Sequence, residues 1–206
     1  MNRRLRLAES LLYVVLDGGT PAGVLEAALR GGVDVVQLRD KELSDDELVR
    51  AAAPFRQACD RHGALFVLND RPDLVDACGA DGVHVGQSDA SVADARAAVG
   101  DDRVVGLSIE TEAQLDAIDG ADYLGVGAVF ATPTKTESVA GGLDLLRASA
   151  ARVTIPWFAI GGIDLSNVAE VSAAGAPGVA VVRAIRDAED PEAAARALRA
   201  ALGEPA

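Results

Sequence analysis

Residues 33–39 read Val-Asp-Val-Val-Gln-Leu-Arg, a short apolar run that closes on polar side chains. Its apolar positions do not alternate strictly with polar ones, which is typical of a strand covered on both faces. Helical patterns flank the run. Upstream, Thr20 caps a predicted helix that has Pro21 at its first position, and downstream Ser44 and Glu47 form a capping-box pattern. The stretch therefore predicts a buried strand between two helices.

The same unit recurs along the chain. Seven further runs predict strands, at residues 11–16, 64–69, 82–85, 103–108, 123–126, 157–160 and 178–182. Eight strands alternating with helices predict an α/β fold, a single (β/α)8 TIM barrel domain over residues 1–206 with short flexible termini. The alternative is an open doubly wound sheet, but residues 17–20, Asp-Gly-Gly-Thr, lack the glycine spacing of a dinucleotide-binding turn.

Composition narrows the class of protein. Half of the 206 residues are apolar and a quarter are charged, which indicates a globular chain. The net charge of −13 disfavours nucleic acid and anionic membranes as partners. No apolar run reaches the roughly 18 residues of a membrane span. Cys59 and Cys78 do not form a metal-like pair, so we expect a reduced, cytoplasmic protein.

Lysine is rare in this chain. There are 17 arginines but only two lysines, Lys41 and Lys135, and each falls just past the end of a predicted strand. A lysine presents a compact ammonium where an arginine presents a planar fork. The two positions therefore indicate places that need a small, concentrated positive charge.

The ends of strands two to four carry one candidate site, because functional residues of such barrels lie at the carboxyl ends of strands. Alternation directs Gln37, Arg39 and Lys41 to the same side, where three donors suit a polyanion such as a diphosphate. Asp70 follows strand three and Asp89 follows strand four. One or two carboxylates are what proteins usually supply to Mg²⁺.

Several of these residues have ordinary structural alternatives. Asp70 could belong to a turn before proline, and Asp89 could cap the following helix. Ser108 has no neighbouring base, so we expect it to form hydrogen bonds and not to act as a nucleophile. His84 lies within a strand and is expected to be packed and hydrogen-bonded.

The ends of strands six to eight predict a second anion site. Thr132, Thr134 and Lys135 share a proline-containing loop after strand six. Gly162 follows strand seven and Val182-Arg183 follows strand eight, where backbone N–H groups of such barrels often bind phosphate. Two anion sites without an activated nucleophile indicate transfer or condensation between two phosphorylated small molecules.

Six motifs in this order resemble the thiamine-phosphate synthase family from about Leu12 to Leu202. They are Gln37-Leu38-Arg39-Asp40-Lys41, Asn69-Asp70-Arg71, the segment 82–89, Gly106-Leu107-Ser108, Thr132-Pro133-Thr134-Lys135 and the segment 159–163. The resemblance implies a (β/α)8 transferase that needs Mg²⁺. It would join the diphosphate of a hydroxymethylpyrimidine to a thiazole phosphate, giving thiamine phosphate and diphosphate.

The resemblance also implies roles for single residues. The pyrimidine diphosphate would be held by Gln37, Arg39, Lys41, Asn69, Ser108 and Lys135, and Arg39, Lys41 and Lys135 would stabilise the leaving diphosphate. Asp70 and Asp89 would bind Mg²⁺. The thiazole phosphate would be lined by Thr132, Thr134, Gly162, Val182 and Arg183.

The chain departs from the family pattern at a few positions. The family often has Ser where Arg183 stands, Pro where Ala128 stands, and Ser-Thr-His where this chain has Ser108-Ile109-Glu110. Two alternatives share the barrel: a thiazole tautomerase-like enzyme, and a catalytically silent paralogue that binds thiazole phosphate. The charged diphosphate set argues against the tautomerase, and turnover separates the silent paralogue from the synthase.

Overall fold

The computed structural model describes residues 2–130 and 141–203. Eight parallel strands pair in chain order and close into a barrel through β1 and β8. The strands are β1 Leu12–Leu16, β2 Val35–Leu38, β3 Leu65–Asn69, β4 Gly82–Val85, β5 Val104–Ile109, β6 Tyr123–Val126, β7 Trp157–Ile160 and β8 Gly178–Val181. The predicted barrel is confirmed, with strand ends that differ from the prediction by no more than two residues.

Helices occupy the connections. They are α1 Arg3–Ala8, α2 Ala22–Arg30, α3 Asp45–His62, α4 Val75–Cys78, α5 Val92–Val99, α6 Gly142–Arg152, α7 Val168–Ala173, α8 Arg183–Arg186 and α9 Pro191–Leu202. The predicted capping box of Ser44 and Glu47 is present at the start of α3. Pro21 lies at the cap of α2 and not at its first helical position. Between β5 and β6 the described connection is a 3-10 helix, Glu112–Ala117. Among the described residues, no helix is long and apolar enough to cross a membrane.

Aromatic rings fill the inside of the barrel. The ring of Phe158 meets Tyr13 edge-on at 5.3 Å between centroids and meets Tyr123 edge-on at 6.0 Å. Both tyrosines and the phenylalanine are at most 2% exposed, and Val35 and Leu65 pack in the same inner cluster. A second, larger apolar layer lies between the strands and the surrounding helices. The barrel is therefore a packed core and not a pore.

Helix α1 closes the amino-terminal end of the barrel, and no sequence pattern predicted it. Its Leu7 is 1% exposed and belongs to the inner cluster. The expectation of a flexible N terminus therefore does not extend to residues 3–8. Arg3 reaches from the same helix to the carboxylate of Asp81, with 2.9 Å between Nε and Oδ1. The helix is held both by apolar burial and by an ion pair.

Three aspartates at the barrel end that α1 covers make the same kind of hydrogen bond to a neighbouring strand. Asp34, Asp81 and Asp122 each immediately precede an even-numbered strand, and each accepts a hydrogen bond from a backbone N–H at the start of the preceding odd-numbered strand. The three N–H groups belong to Leu12, Phe66 and Val105. Each aspartate is also paired with at least one arginine.

Asp81 is the most buried of the three, at 6% exposure. Its Oδ2 accepts from Nη1 of Arg56 at 2.7 Å and from the N–H of Phe66 at 3.0 Å. Burial works to raise the pKa of this carboxyl, but the hydrogen bonds from Arg56, Phe66 and Arg3 outweigh it and hold the pKa below the usual 3.8. Asp81 therefore stabilises the fold as an anion.

We expect Asp81→Asn to lower stability by about 3 kcal/mol at neutral pH, because it removes a buried anion from two arginines. For a chain of this size the thermal midpoint should fall by about 6–12 °C. A carboxyl with a depressed pKa adds stability above about pH 3.8, and that stability is lost as the pH falls further.

Thermal melts of both proteins from pH 7 to pH 3 would measure this difference, which should narrow in the most acid samples. Asp144→Asn is the matched control, because Asp144 pairs with Arg147 while 90% of its side chain is exposed. An Asp81→Asn variant as stable as that control would contradict the role of Asp81.

Candidate active site

The predicted functional residues in the described part of the chain lie at the carboxyl ends of the strands. Asn69 is the last residue of β3 and Ser108 is the next-to-last residue of β5. Gly162 follows β7, and Val182 follows β8 directly. Parallel strands bring these positions to one mouth of the barrel, opposite α1.

Gln37 lies deeper than its two cationic neighbours. It is 4% exposed, and its Nε2 donates to the Tyr13 hydroxyl at 2.8 Å inside the barrel. One of the two N–H groups of the Gln37 amide is thus used inside the barrel, and the convergence of the three donors on a polyanion stays a prediction. Arg39 and Lys41 are both exposed and supply the positive charge at this point. A diphosphate at the end of β2 would meet two cations.

Asp40 fixes the loop that carries Lys41. Its Oδ2 accepts from the N–H of Gly18 at 3.2 Å, and its Oδ1 accepts from the N–H of Glu42 at 3.1 Å. The two contacts connect the loop after β2 to the loop after β1. The Lys41 ammonium then reaches Asp70, with 3.0 Å between Nζ and Oδ2.

Asp70 has an unusual backbone. It has a φ of 59°, and among the described residues it is the only non-glycine in the left-handed region. Its N–H donates to the carbonyl of His84 at 2.9 Å, which ties the end of β3 to β4. Its side chain is 18% exposed beside Lys41. The strained backbone places a carboxylate at the mouth, and such strain is often found at functional sites.

Asp89 does not cap the helix that follows it. Ser91 is the cap of α5, and its side chain accepts from the N–H of Asp94. Oδ2 of Asp89 instead accepts from the N–H of Gly86 at 2.9 Å, within the loop after β4. The helix-cap alternative is thus wrong, and the exposed carboxylate stays at the mouth.

His84 and Ser108 meet at the mouth, and the expectation of a packed, hydrogen-bonded histidine is confirmed. Nε2 of His84 lies 2.9 Å from Oγ of Ser108, and its Nδ1 lies 3.2 Å from the Tyr123 hydroxyl. Burial lowers the pKa of His84 to about 4, although the Asp89 charge acts in the opposite direction. The ring is therefore neutral at pH 7.

Sequence reasoning missed the two tyrosines beneath this site. Tyr13 and Tyr123 join Gln37 to His84 through a contact of 3.1 Å between their hydroxyls. Inward-facing tyrosines on β1 and β6 were the available signal, since a buried hydroxyl requires a partner.

The second predicted anion site is only partly described. Thr132, Thr134 and Lys135 lie outside the described residues. Gly162 follows Gly161, whose φ of 110° and close approach to Ala128 leave no room for a side chain: an added Cβ would lie 2.7 Å from Cα of Ala128. Arg183 is exposed and has no ion pair within residues 2–130 and 141–203.

Residues 12–185 match the family of thiamine monophosphate synthases. A thiamine-phosphate synthase of Thermobifida fusca is 48% identical over 204 residues, covering 95% of this chain and 94% of the relative. The chain belongs to the thiamine monophosphate synthase family. The fold of this chain is similar to the solved structure of a thiamine phosphate pyrophosphorylase from Pyrococcus furiosus, with a TM-score of 0.86 and 33% sequence identity. The match covers 96% of this chain and 97% of the Pyrococcus furiosus chain.

Some relatives in the family are longer than this chain. It is 48% identical over 196 residues to a bifunctional thiamine biosynthesis protein of Symbiobacterium thermophilum, but spans only 41% of that protein. It spans about half the length of several thiamine-phosphate synthases. The barrel is thus the part these relatives share.

We expect Asp70→Gly to be more stable than Asp70→Ala by about 1 kcal/mol. Neither variant keeps the ion pair with Lys41, and the left-handed backbone costs alanine about 1–2 kcal/mol that glycine does not pay. Thermal midpoints about 2–4 °C apart would be the readout. Equal midpoints would mean that the backbone relaxes out of the left-handed region once the carboxylate is gone.

Proposed function

We propose that this chain is a thiamine-phosphate synthase that joins 4-amino-2-methyl-5-(diphosphooxymethyl)pyrimidine to 4-methyl-5-(2-phosphooxyethyl)thiazole, releasing diphosphate. The proposal rests above all on the contact between Lys41 and Asp70, at 3.0 Å. It places a cation suited to a diphosphate next to a carboxylate suited to a divalent metal, at the mouth of a family member's barrel.

The chain's residues would act by placement and charge. The aminopyrimidine is electron-rich, so its CH₂–O bond can break while the ring stabilises the positive charge left on carbon. Arg39, Lys41 and Lys135 would stabilise the diphosphate that departs with the bonding electrons. The thiazole nitrogen then donates its electron pair to the carbon. No nucleophile or strong base from the protein is required, which suits a site where His84 is neutral and held on both sides.

Mg²⁺ fits the donors present. Asp70 and Asp89 are hard carboxylate ligands, and Asn69 adds an amide oxygen beside them. The described residues contain no cluster of three or more His, Cys, Asp or Glu side chains. A pair of carboxylates suits an ion that completes its shell with water and phosphate oxygens, and it does not suit a protein-enclosed zinc. When bound, the ion would neutralise charge on the leaving diphosphate.

The thiazole phosphate would lie on the other side of the mouth. Gly162 has a φ of 65°, and its carbonyl is fixed by Nδ2 of Asn167, which donates at 2.9 Å. Gly162, Val182 and Arg183 would contact the phosphate together with Thr132 and Thr134. Arg183 would add a guanidinium where the family often has serine.

We assign the protein to the cytoplasm, with small molecules as its partners. Cys59 and Cys78 are buried free thiols, and burial raises the pKa of Cys59 to about 12. An inert thiol of this kind is compatible with a reducing compartment.

The activity is tested by mixing the full chain with pyrimidine diphosphate, thiazole phosphate and Mg²⁺ and converting the product to fluorescent thiochrome. We expect a signal that EDTA abolishes and added Mg²⁺ restores. Folded protein that binds thiazole phosphate without turnover would support the silent paralogue, and turnover that EDTA does not affect would remove the metal from the proposal.

We expect Lys135→Ala to lower kcat/KM by about 10²–10³-fold, because it removes a positive charge from the departing diphosphate. Arg50→Ala is the matched control, since Arg50 is an exposed cation within α3 and belongs to none of the mouth motifs. The comparison is made by the thiochrome assay under saturating Mg²⁺. A Lys135→Ala loss no larger than that of the control would contradict the leaving-group role.

A further inference from the structure

A continuous chain of hydrogen bonds crosses the inside of the barrel and ends at the mouth. It runs from Gln37 Nε2 to the Tyr13 hydroxyl at 2.8 Å, and from there to the Tyr123 hydroxyl at 3.1 Å. It continues to His84 Nδ1 at 3.2 Å, and from His84 Nε2 to Ser108 Oγ at 2.9 Å. Five residues from β1, β2, β4, β5 and β6 take part.

The amide of Gln37, at one end of this series of hydrogen bonds, fixes which atom donates in each bond. An amide nitrogen only donates, so the Tyr13 oxygen accepts from Gln37. Burial raises the pKa of both tyrosine hydroxyls, so each keeps a single hydrogen. Tyr13 therefore donates its hydrogen to Tyr123, and Tyr123 donates its own to Nδ1 of His84.

His84 continues the same order of donors and acceptors to Ser108. A neutral imidazole has one acceptor nitrogen and one N–H. With Nδ1 accepting from Tyr123, the N–H is at Nε2 and donates to Oγ of Ser108. The serine hydroxyl then has its own hydrogen left, and no described residue accepts it.

Glycines on β5 and β6 leave the space that the hydrogen-bonded rings of Tyr123 and His84 require. An added Cβ at Gly106 would lie 2.2 Å from Cζ of Tyr123 and 2.6 Å from Nδ1 of His84. An added Cβ at Gly125 would lie 3.2 Å from Cε1 of His84. Glycine at both positions therefore leaves the space that the rings of Tyr123 and His84 occupy.

We propose that Gln37, Tyr13, Tyr123 and His84 form a one-way relay of hydrogen bonds that holds the Ser108 hydroxyl as a donor toward the barrel mouth. Tyr13, Tyr123 and His84 are then positioning residues that act through Ser108. The group they select in a ligand is a hydrogen-bond acceptor. That this acceptor is a ring nitrogen of the aminopyrimidine rests on the proposed function, whereas the direction of the relay does not.

The direction is measured in the free protein by nitrogen-15 NMR of the histidine rings at neutral pH. The chain has two histidines, so His62→Gln assigns the His84 signals. We expect Nε2 of His84 to be protonated and Nδ1 to be unprotonated. The opposite tautomer means that the relay runs from Ser108 to Gln37 and makes Ser108 an acceptor, which would overturn the proposal. This result does not depend on any enzymatic activity.

The consequence for the ligand is measured with Tyr123→Phe, which removes the hydroxyl and keeps the ring. We expect KM for the pyrimidine diphosphate to rise about two- to tenfold, the effect of one neutral hydrogen bond, with KM for the thiazole phosphate unchanged. Phe158→Leu is the control, because it disturbs the same ring cluster without breaking the relay. An unchanged KM in Tyr123→Phe, or an equal change in Phe158→Leu, would refute positioning through Ser108.

Discussion

The interior of a closed eight-stranded barrel has to be filled, and this requirement shapes both the core and the mouth. The chain has only seven aromatic residues, and three of them, Tyr13, Tyr123 and Phe158, pack against each other inside the barrel. Two of the three carry a hydroxyl into the buried interior of the barrel. Each hydroxyl must find a partner there, because an unpaired buried polar group costs about 1–3 kcal/mol. The partners are Gln37 and His84, and through His84 the filling of the core reaches Ser108.

Charge is distributed unequally between the two ends of the barrel. At the end closed by α1, Asp34, Asp81 and Asp122 are neutralised by arginines and by strand N–H groups, so these charges hold the fold together. At the mouth, Arg39 and Arg183 are exposed, and neither forms an ion pair with a carboxylate among the described residues. A protein with a net charge of −13 thereby presents local positive charge where the two proposed phosphorylated substrates would enter.

The strands were predictable because each is a short apolar run between helical patterns or turns, and that pattern is local. The same locality placed Asp70, Asp89 and Ser108 at strand ends. Helix α1 was not predictable, because six residues with three arginines show no periodic pattern, and its place depends on Leu7 entering the barrel. The contact between His84 and Ser108 depends on the register of β4 and β5, which the sequence does not state. Asp89 is a residue type that often caps helices and it precedes α5, but Ser91 lies nearer the start of that helix and is its cap.

The close contact between Gly106 and Tyr123 has an evolutionary consequence. Any side chain at position 106 would begin 2.2 Å from the Tyr123 ring, so no substitution there is tolerated while the ring is present. A descendant can gain a side chain at 106 only after it has lost the ring at 123. Once that side chain is present, the ring cannot return. The order of mutations is therefore fixed, and a lineage that has taken both steps can return to the ancestral barrel interior only by restoring glycine at 106 first.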